Sequence, residues 1–122
     1  GDTVTYVEER YLYEDDKERF RYVQDISAPF VRDGIDTLVL GCTHFVYLAE
    51  LFARVLGDAV RIVESREGVC RQILRVLEKN GMMTAGRNEP DTLYTTGGTP
   101  GRESVLYGFC SHFGIEYRGR LE

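Results

Sequence analysis

The sequence predicts an α/β fold: a mainly parallel sheet with helices on both faces. Three observations carry that prediction. Short β-branched runs alternate with longer segments whose apolar residues recur every three or four positions. The run "DTLVLGC" (36–42) is apolar on both prospective faces, the pattern of a buried parallel strand. Capping and turn residues stand between the runs where each crossover needs them. Strands and helices that alternate in this way build a parallel sheet, with right-handed crossovers.

Taken in order, "VTYVE" (4–8) alternates and carries β-branched and aromatic residues, so it reads as a strand. A helix follows. Phe20, Val23, Ile26, Ser27 and Phe30 fall at helical spacing, Asp15 and Asp16 stand at its start and Gly34 at its end. Pro29 is expected to kink it or break it late. After the 36–42 strand, "FVYLAELFARVLG" (45–57) reads as a helix closed by Gly57, and "AVRIVES" (59–65) as a strand. "EGVCRQILRVLEKNG" (67–81) reads as a helix with Val69, Ile73, Leu74, Val76 and Leu77 inward and Asn80-Gly81 as its stop. The stretch 82–90, with Gly86, Asn88 and Pro90, has the composition of a linker. Beyond it, 91–98 reads as a strand, 99–114 as a helix with Thr99 as N-cap, Pro100 at N1 and Glu103 in the first turn, and 115–122 as a last strand.

A chain of 122 residues fits one domain of common size. Its 43% hydrophobic and 29% charged residues are those of an ordinary globular protein. The net charge of −5 argues against nucleic acid and anionic membrane as partners, because both require a basic footprint. It does not exclude a small anionic substrate, which responds to the local field. The apolar runs are far shorter than the ~18 residues that span a bilayer, and no signal-peptide pattern is seen. The three cysteines, Cys42, Cys70 and Cys110, lack the spacing of a disulfide framework or a zinc site. A reducing, cytoplasmic setting is therefore expected. Gly1 is not a natural start, so the chain is expected to be processed or cut from something longer.

Chemistry concentrates at Gly41-Cys42-Thr43-His44, where a strand gives way to a helix. In a parallel sheet, ligands bind at the carboxyl ends of strands. The residues alone leave two readings of Cys42 open. It is a buried small hydrophobe, the commonest state of a free cysteine, or it is a reactive thiol whose thiolate is favoured by nearby backbone N–H groups and by His44. The N–H groups of Thr43 and His44 are also suited to a carboxylate, and Gly41 permits close approach. Cys70 and Cys110 lie inside helical patterns and read as buried apolar residues, and His112 as a partly exposed structural residue. "TTGGTPG" (95–101) looks like a phosphate-cradling turn but lacks the lysine and spacing of a P-loop. The acidic-rich stretch 14–19 reads as a solvated first helical turn.

"DTLVLGCTHFVYL", followed at the next strand end by "IVESREGVC", resembles the C-terminal half of glutamate racemase, in which a Gly-Cys-Thr-His-aromatic-Pro-Leu-Leu stretch holds the second catalytic cysteine. The resemblance is clearest over 35–78. It implies a two-domain racemase fold. Residues 1–82 would be part of the second α/β domain, 83–90 a linker, and 91–122 a β-α-β segment packing on a first domain absent from this chain. It implies interconversion of L- and D-glutamate with no cofactor and no metal, by two thiols on opposite faces of Cα, supplying D-glutamate for peptidoglycan. Cys42 would be one acid/base thiol, His44 would assist it and contact substrate, and Thr43 would bind substrate; Glu8 matches an acidic position of the family weakly. His44 points to glutamate, since the related aspartate racemases usually carry glutamate there.

The chain departs from the family pattern at Val46-Tyr47-Leu48, which stand for Pro-Leu-Leu, and at Glu64, which stands for the aspartate of an Asp-Ser pair. The Asn-Thr stretch that holds the first catalytic cysteine is not visible. The chain is accordingly expected to be inactive alone and to self-associate, as a homodimer or otherwise, through surface left uncovered. The competing readings are an aspartate or hydantoin racemase relative, a non-catalytic domain that keeps the fold, and a thiol hydrolase, the last disfavoured because no third group is evident to orient His44.

Overall fold

The computed structural model describes residues 2–86, 89–97 and 103–121. The elements are α1 (Asp2–Glu9), α2 (Asp16–Asp33), β1 (Thr37–Val39), a 3-10 helix (Phe45–Leu48), α3 (Ala49–Leu56), β2 (Arg61–Val63), α4 (Arg66–Lys79), β3 (Thr92–Thr96), α5 (Glu103–Phe113) and β4 (Glu116–Leu121). They fall into two compact units, Gly1–Met83 and Thr84–Glu122.

In the first unit β1 and β2 pair in parallel, Thr37 with Arg61 through Val39 with Val63. Leu40 N–H donates to the Val63 carbonyl at 2.8 Å and so continues the ladder towards Cys42. The crossover between them consists of the 3-10 helix and α3. The core comprises Tyr6 and Val7 from α1, Val23 from α2, Leu40, and Leu48, Ala49, Leu51 and Phe52. The start of α2 is held by a capping box. The Glu18 N–H donates to Asp15 Oδ1 at 2.8 Å, and the Asp15 N–H to Glu18 Oε2 at 3.0 Å. At its other end Gly34 takes a left-handed φ of 63°, which releases the last carbonyls to its N–H. α2 packs on α3, and Arg54 forks onto both Asp16 oxygens at 2.8 and 3.0 Å while lying over Phe20.

In the second unit β3 and β4 are parallel and joined by α5, with a register shift between Leu93 and Thr95. Cys110 of α5 is buried, and Tyr107 meets Tyr117 edge to face at 5.0 Å.

The α/β class therefore holds, with parallel strands and helical crossovers, and several expectations are corrected. Residues 4–8 are helical rather than extended. Adjacent Tyr6 and Val7 are both buried, which does not fit the half-buried alternating strand read there and which a helix allows. The Tyr6 ring stacks on Tyr22 of α2 at 3.5 Å, and the Tyr6 hydroxyl donates to Glu14 at 2.7 Å. Among the described residues the strands form two separate pairs and not one sheet. α2 runs through Pro29 to Asp33 without a break. The 45–57 helix opens as a 3-10 turn. The inward face assigned to α4 is open: Val69, Ile73, Leu74 and Val76 are each roughly half exposed, and no residue of α4 is buried. Val39 is likewise 66% exposed, so β1 is covered on one face only. Cys70 is exposed. Thr99 and Pro100, and Gly98 to Gly101 of the glycine-rich turn, lie outside the described residues, as does Asn88.

Candidate active site

β1 ends at Val39, and Leu40 is anchored in the core, so the chain must turn at Gly41 and Cys42. The Phe45 N–H closes that turn on the Cys42 carbonyl at 3.0 Å. The turn winds directly into the 3-10 helix, which Leu48 pins to the core. This fixes His44 in a helical conformation (φ −66°, ψ −39°) with its ring beside the preceding thiol. Cys42 Sγ lies 3.7 Å from His44 Nδ1, and His44 Nε2 lies 3.2 Å from Glu8 Oε1. Glu8 reaches the ring because α1 packs against the 3-10 helix, with Val7 beneath it in the core. One imidazole thus bridges a thiol and a carboxylate drawn from distant parts of the unit's sequence.

The electrostatics follow from this bridge. Backbone N–H from His44, then the His44 ring, and then the Phe45 N–H lower the Cys42 pKa below the ordinary thiol value, against an opposing desolvation effect. The His44 pKa is raised, first by its bond to Cys42 and then by Glu8, against desolvation. Both shifts favour a thiolate–imidazolium pair. In that form Nδ1–H donates to sulfur and Nε2–H to the carboxylate. The group is half-buried, with the His44 and Glu8 side chains 32% and 21% exposed, so it is open to solvent and to a small ligand.

The structure brings Cys42 and His44 together as expected and leaves Thr43 exposed at the turn. The N–H groups whose field lowers the thiol pKa are those of His44 and Phe45. Glu64, the longer acid before Ser65, accepts from the Arg66 N–H at 2.5 Å and from Arg66 Nε at 3.0 Å. Those bonds, the backbone one first, hold its carboxyl below the usual range. Ser65 makes no capping bond, so Glu64 does that work for α4. Neither Cys70, exposed on α4, nor Cys110, buried on α5, stands at a strand end. His112 is exposed and contacts Phe113. Glu8 is the residue the sequence underrates. Its one signal in the sequence is the weak match to an acidic position of the family it resembles; local pattern does not mark the helix, with Tyr6 and Val7 buried, that carries it.

Fold and site together define an α/β protein with a thiol held beside an imidazole at a strand end. No protein-family model matches the chain. It is 34% identical over 95 residues to the glutamate racemase of Treponema pallidum (strain Nichols), covering 77% of this chain and 34% of that protein. It is 47% identical over 62 residues to that of Methylococcus capsulatus (strain Bath), covering 51% and 23%. A solved structure of Escherichia coli glutamate racemase, in complex with L-glutamate and the activator UDP-MurNAc-Ala, superposes with a TM-score of 0.70 at 27% identity, covering 99% of this chain and 45% of that one. A glutamate racemase isoform from Bacillus anthracis gives 0.64 at 27% identity, covering 94% and 42%. The chain is similar to glutamate racemases over part of their length. It spans about a third of the curated relatives it matches (34% of the Treponema protein).

Proposed function

We propose that this chain is the C-terminal portion of a glutamate racemase and supplies one of its two catalytic thiols. The observation that carries the reading is the Cys42–His44–Glu8 bridge, with separations of 3.7 and 3.2 Å. A Cα proton next to a carboxylate is very weakly acidic. Its removal needs a base held ready beside the substrate, and a thiolate kept by an imidazolium is such a base. Cys42 takes the proton from one face of Cα, and a thiol on the other face, contributed by the remainder of the enzyme, returns one. His44 passes charge between Cys42 and the bound substrate, and Thr43 binds the substrate carboxylate through its backbone and hydroxyl. The E. coli relative, solved with L-glutamate, supports glutamate as the ligand. No cofactor takes part. The product serves as D-glutamate for peptidoglycan, in the cytoplasm.

The apolar residues left open on α4 and β1 support a surface that the rest of the enzyme covers, and one through which this chain alone self-associates. The test is chiral analysis of glutamate incubated with the purified chain, which should yield no net inversion. Robust conversion of L- to D-glutamate would sink the two-part reading. In a full-length racemase that carries these residues, Cys42→Ala should abolish racemisation, and wild-type turnover in that variant would remove Cys42 from the mechanism.

A further inference from the structure

A nucleophile, a base within reach of it, and a third group that orients the base make up the constellation of covalent acyl transfer. All three are present here. Cys42 Sγ faces His44 Nδ1 at 3.7 Å, and Glu8 Oε1 engages the opposite ring nitrogen at 3.2 Å. Local pattern does not tie the third group to the pair, because Glu8 stands 36 positions before His44. The thiol is half-buried at a turn whose neighbours Gly41 and Thr43 are exposed, so the sulfur is open to a small electrophile. Turnover of an acyl-thiol uses the same ring to deprotonate a water, and a carboxylate on its far nitrogen holds the ring in place for that step.

We propose that Cys42, His44 and Glu8 also act as a nucleophilic triad that hydrolyses small activated acyl esters and thioesters. The Cys42 thiolate attacks the acyl carbon, an S–C bond forms, and the carbonyl electron pair moves to oxygen. Collapse of that adduct breaks the bond to the leaving alkoxide or thiolate, which takes the proton of the His44 imidazolium. Water then attacks the acyl-thiol while neutral His44 accepts its proton. The S–C bond breaks, the carboxylic acid leaves, and the thiolate–imidazolium pair is restored. Glu8 is a positioning residue: it fixes the ring so that Nδ1 faces first sulfur and then water. The net change is ester plus water to acid plus alcohol, with no oxidant or reductant.

The experiment uses the whole chain in a Cys70→Ser background, so that the exposed thiol of α4 does not contribute, with p-nitrophenyl acetate as substrate. A burst of one p-nitrophenolate per chain should precede steady turnover, with the acetyl group located on Cys42 by mass spectrometry. Cys42→Ala should remove both phases. His44→Ala should keep a slowed burst and lower the steady rate by about a hundredfold or more, the usual contribution of a general base. Glu8→Gln should lower the steady rate while shifting its pH profile, and Glu8→Asp should restore part of it. Circular dichroism of each variant separates these losses from unfolding. A single burst with no turnover beyond spontaneous thioester hydrolysis, or a steady rate indifferent to His44→Ala, would overturn the proposal. Either outcome leaves the racemase reading untouched, because that reading is tested by inversion at Cα.

Discussion

Leu48 has no exposed surface, lies one turn beyond His44, and ties the 3-10 helix to the core of the first unit. Leu48→Ala removes the three-carbon isopropyl group beyond Cβ. At about 0.8 kcal/mol per buried methylene-sized group, the transfer loss alone is about 2.4 kcal/mol. The cavity left in a core that includes Val7, Val23, Leu51 and Phe52 adds to it, which places the total in the range of about 2–5 kcal/mol. For a cooperative unit of this size that lowers the midpoint of thermal unfolding by roughly 10 °C or more. The assay is urea unfolding, read by hydrogen exchange in peptides from α2 and α3 so that the second unit does not contribute. The same variant should slow alkylation of Cys42 at neutral pH, since the turn that presents His44 to the sulfur loses its anchor. A loss of under about 1 kcal/mol would refute the packing argument. Full destabilisation with unchanged alkylation would show that the turn does not depend on Leu48.

Asp15→Ala should cost about 0.5–2 kcal/mol, because it removes the acceptor for the Glu18 N–H at the head of α2; thermal unfolding by circular dichroism reads it. Gly34→Ala should destabilise by about 1 kcal/mol, since its φ of 63° strains any residue with a Cβ; chemical denaturation checks this. Ile73→Lys on the open face of α4 should change stability by no more than about 0.5 kcal/mol. It should also lower self-association in light scattering, whereas a cost of several kcal/mol would mean that the face is covered within this chain.

Sequence patterns made the chemistry of the site legible before its partners. Gly41 and the strand end at Cys42 are local signals, and so is the helical spacing of Val23 and Ser27 in α2. Glu8 was legible only as a weak family match, because its contact with His44 depends on α1 folding back on the 3-10 helix, a contact across many residues that periodicity does not encode. Residues 4–8 misled for a related reason. Val4, Tyr6 and Glu8 alternate as a strand should, yet stacking of Tyr6 on Tyr22 decided the conformation, and intrinsic β-propensity yields to such tertiary contacts. The apolar pattern of α4 correctly gave a helix but not its burial, since an amphipathic stripe reports a need for cover without saying what supplies it. The glutamate at position 64 showed its use only in three dimensions, where the longer side chain reaches the Arg66 N–H.

The chemistry proposed for this chain rests on Cys42 being held as a poised thiolate by His44 and Glu8. Below its depressed pKa the sulfur is protonated and slow; above it the thiolate reacts. As pH rises through the elevated His44 pKa, the imidazolium is lost and the pair with it. Thiolate absorbance of Cys42 titrated in a Cys70→Ser background measures this directly. The inflection should fall below about 8.5, the value of an unperturbed thiol. It should move upward in Glu8→Gln, which removes a group that raises the His44 pKa. An inflection at or above the unperturbed value, indifferent to Glu8→Gln, would contradict the poised thiolate.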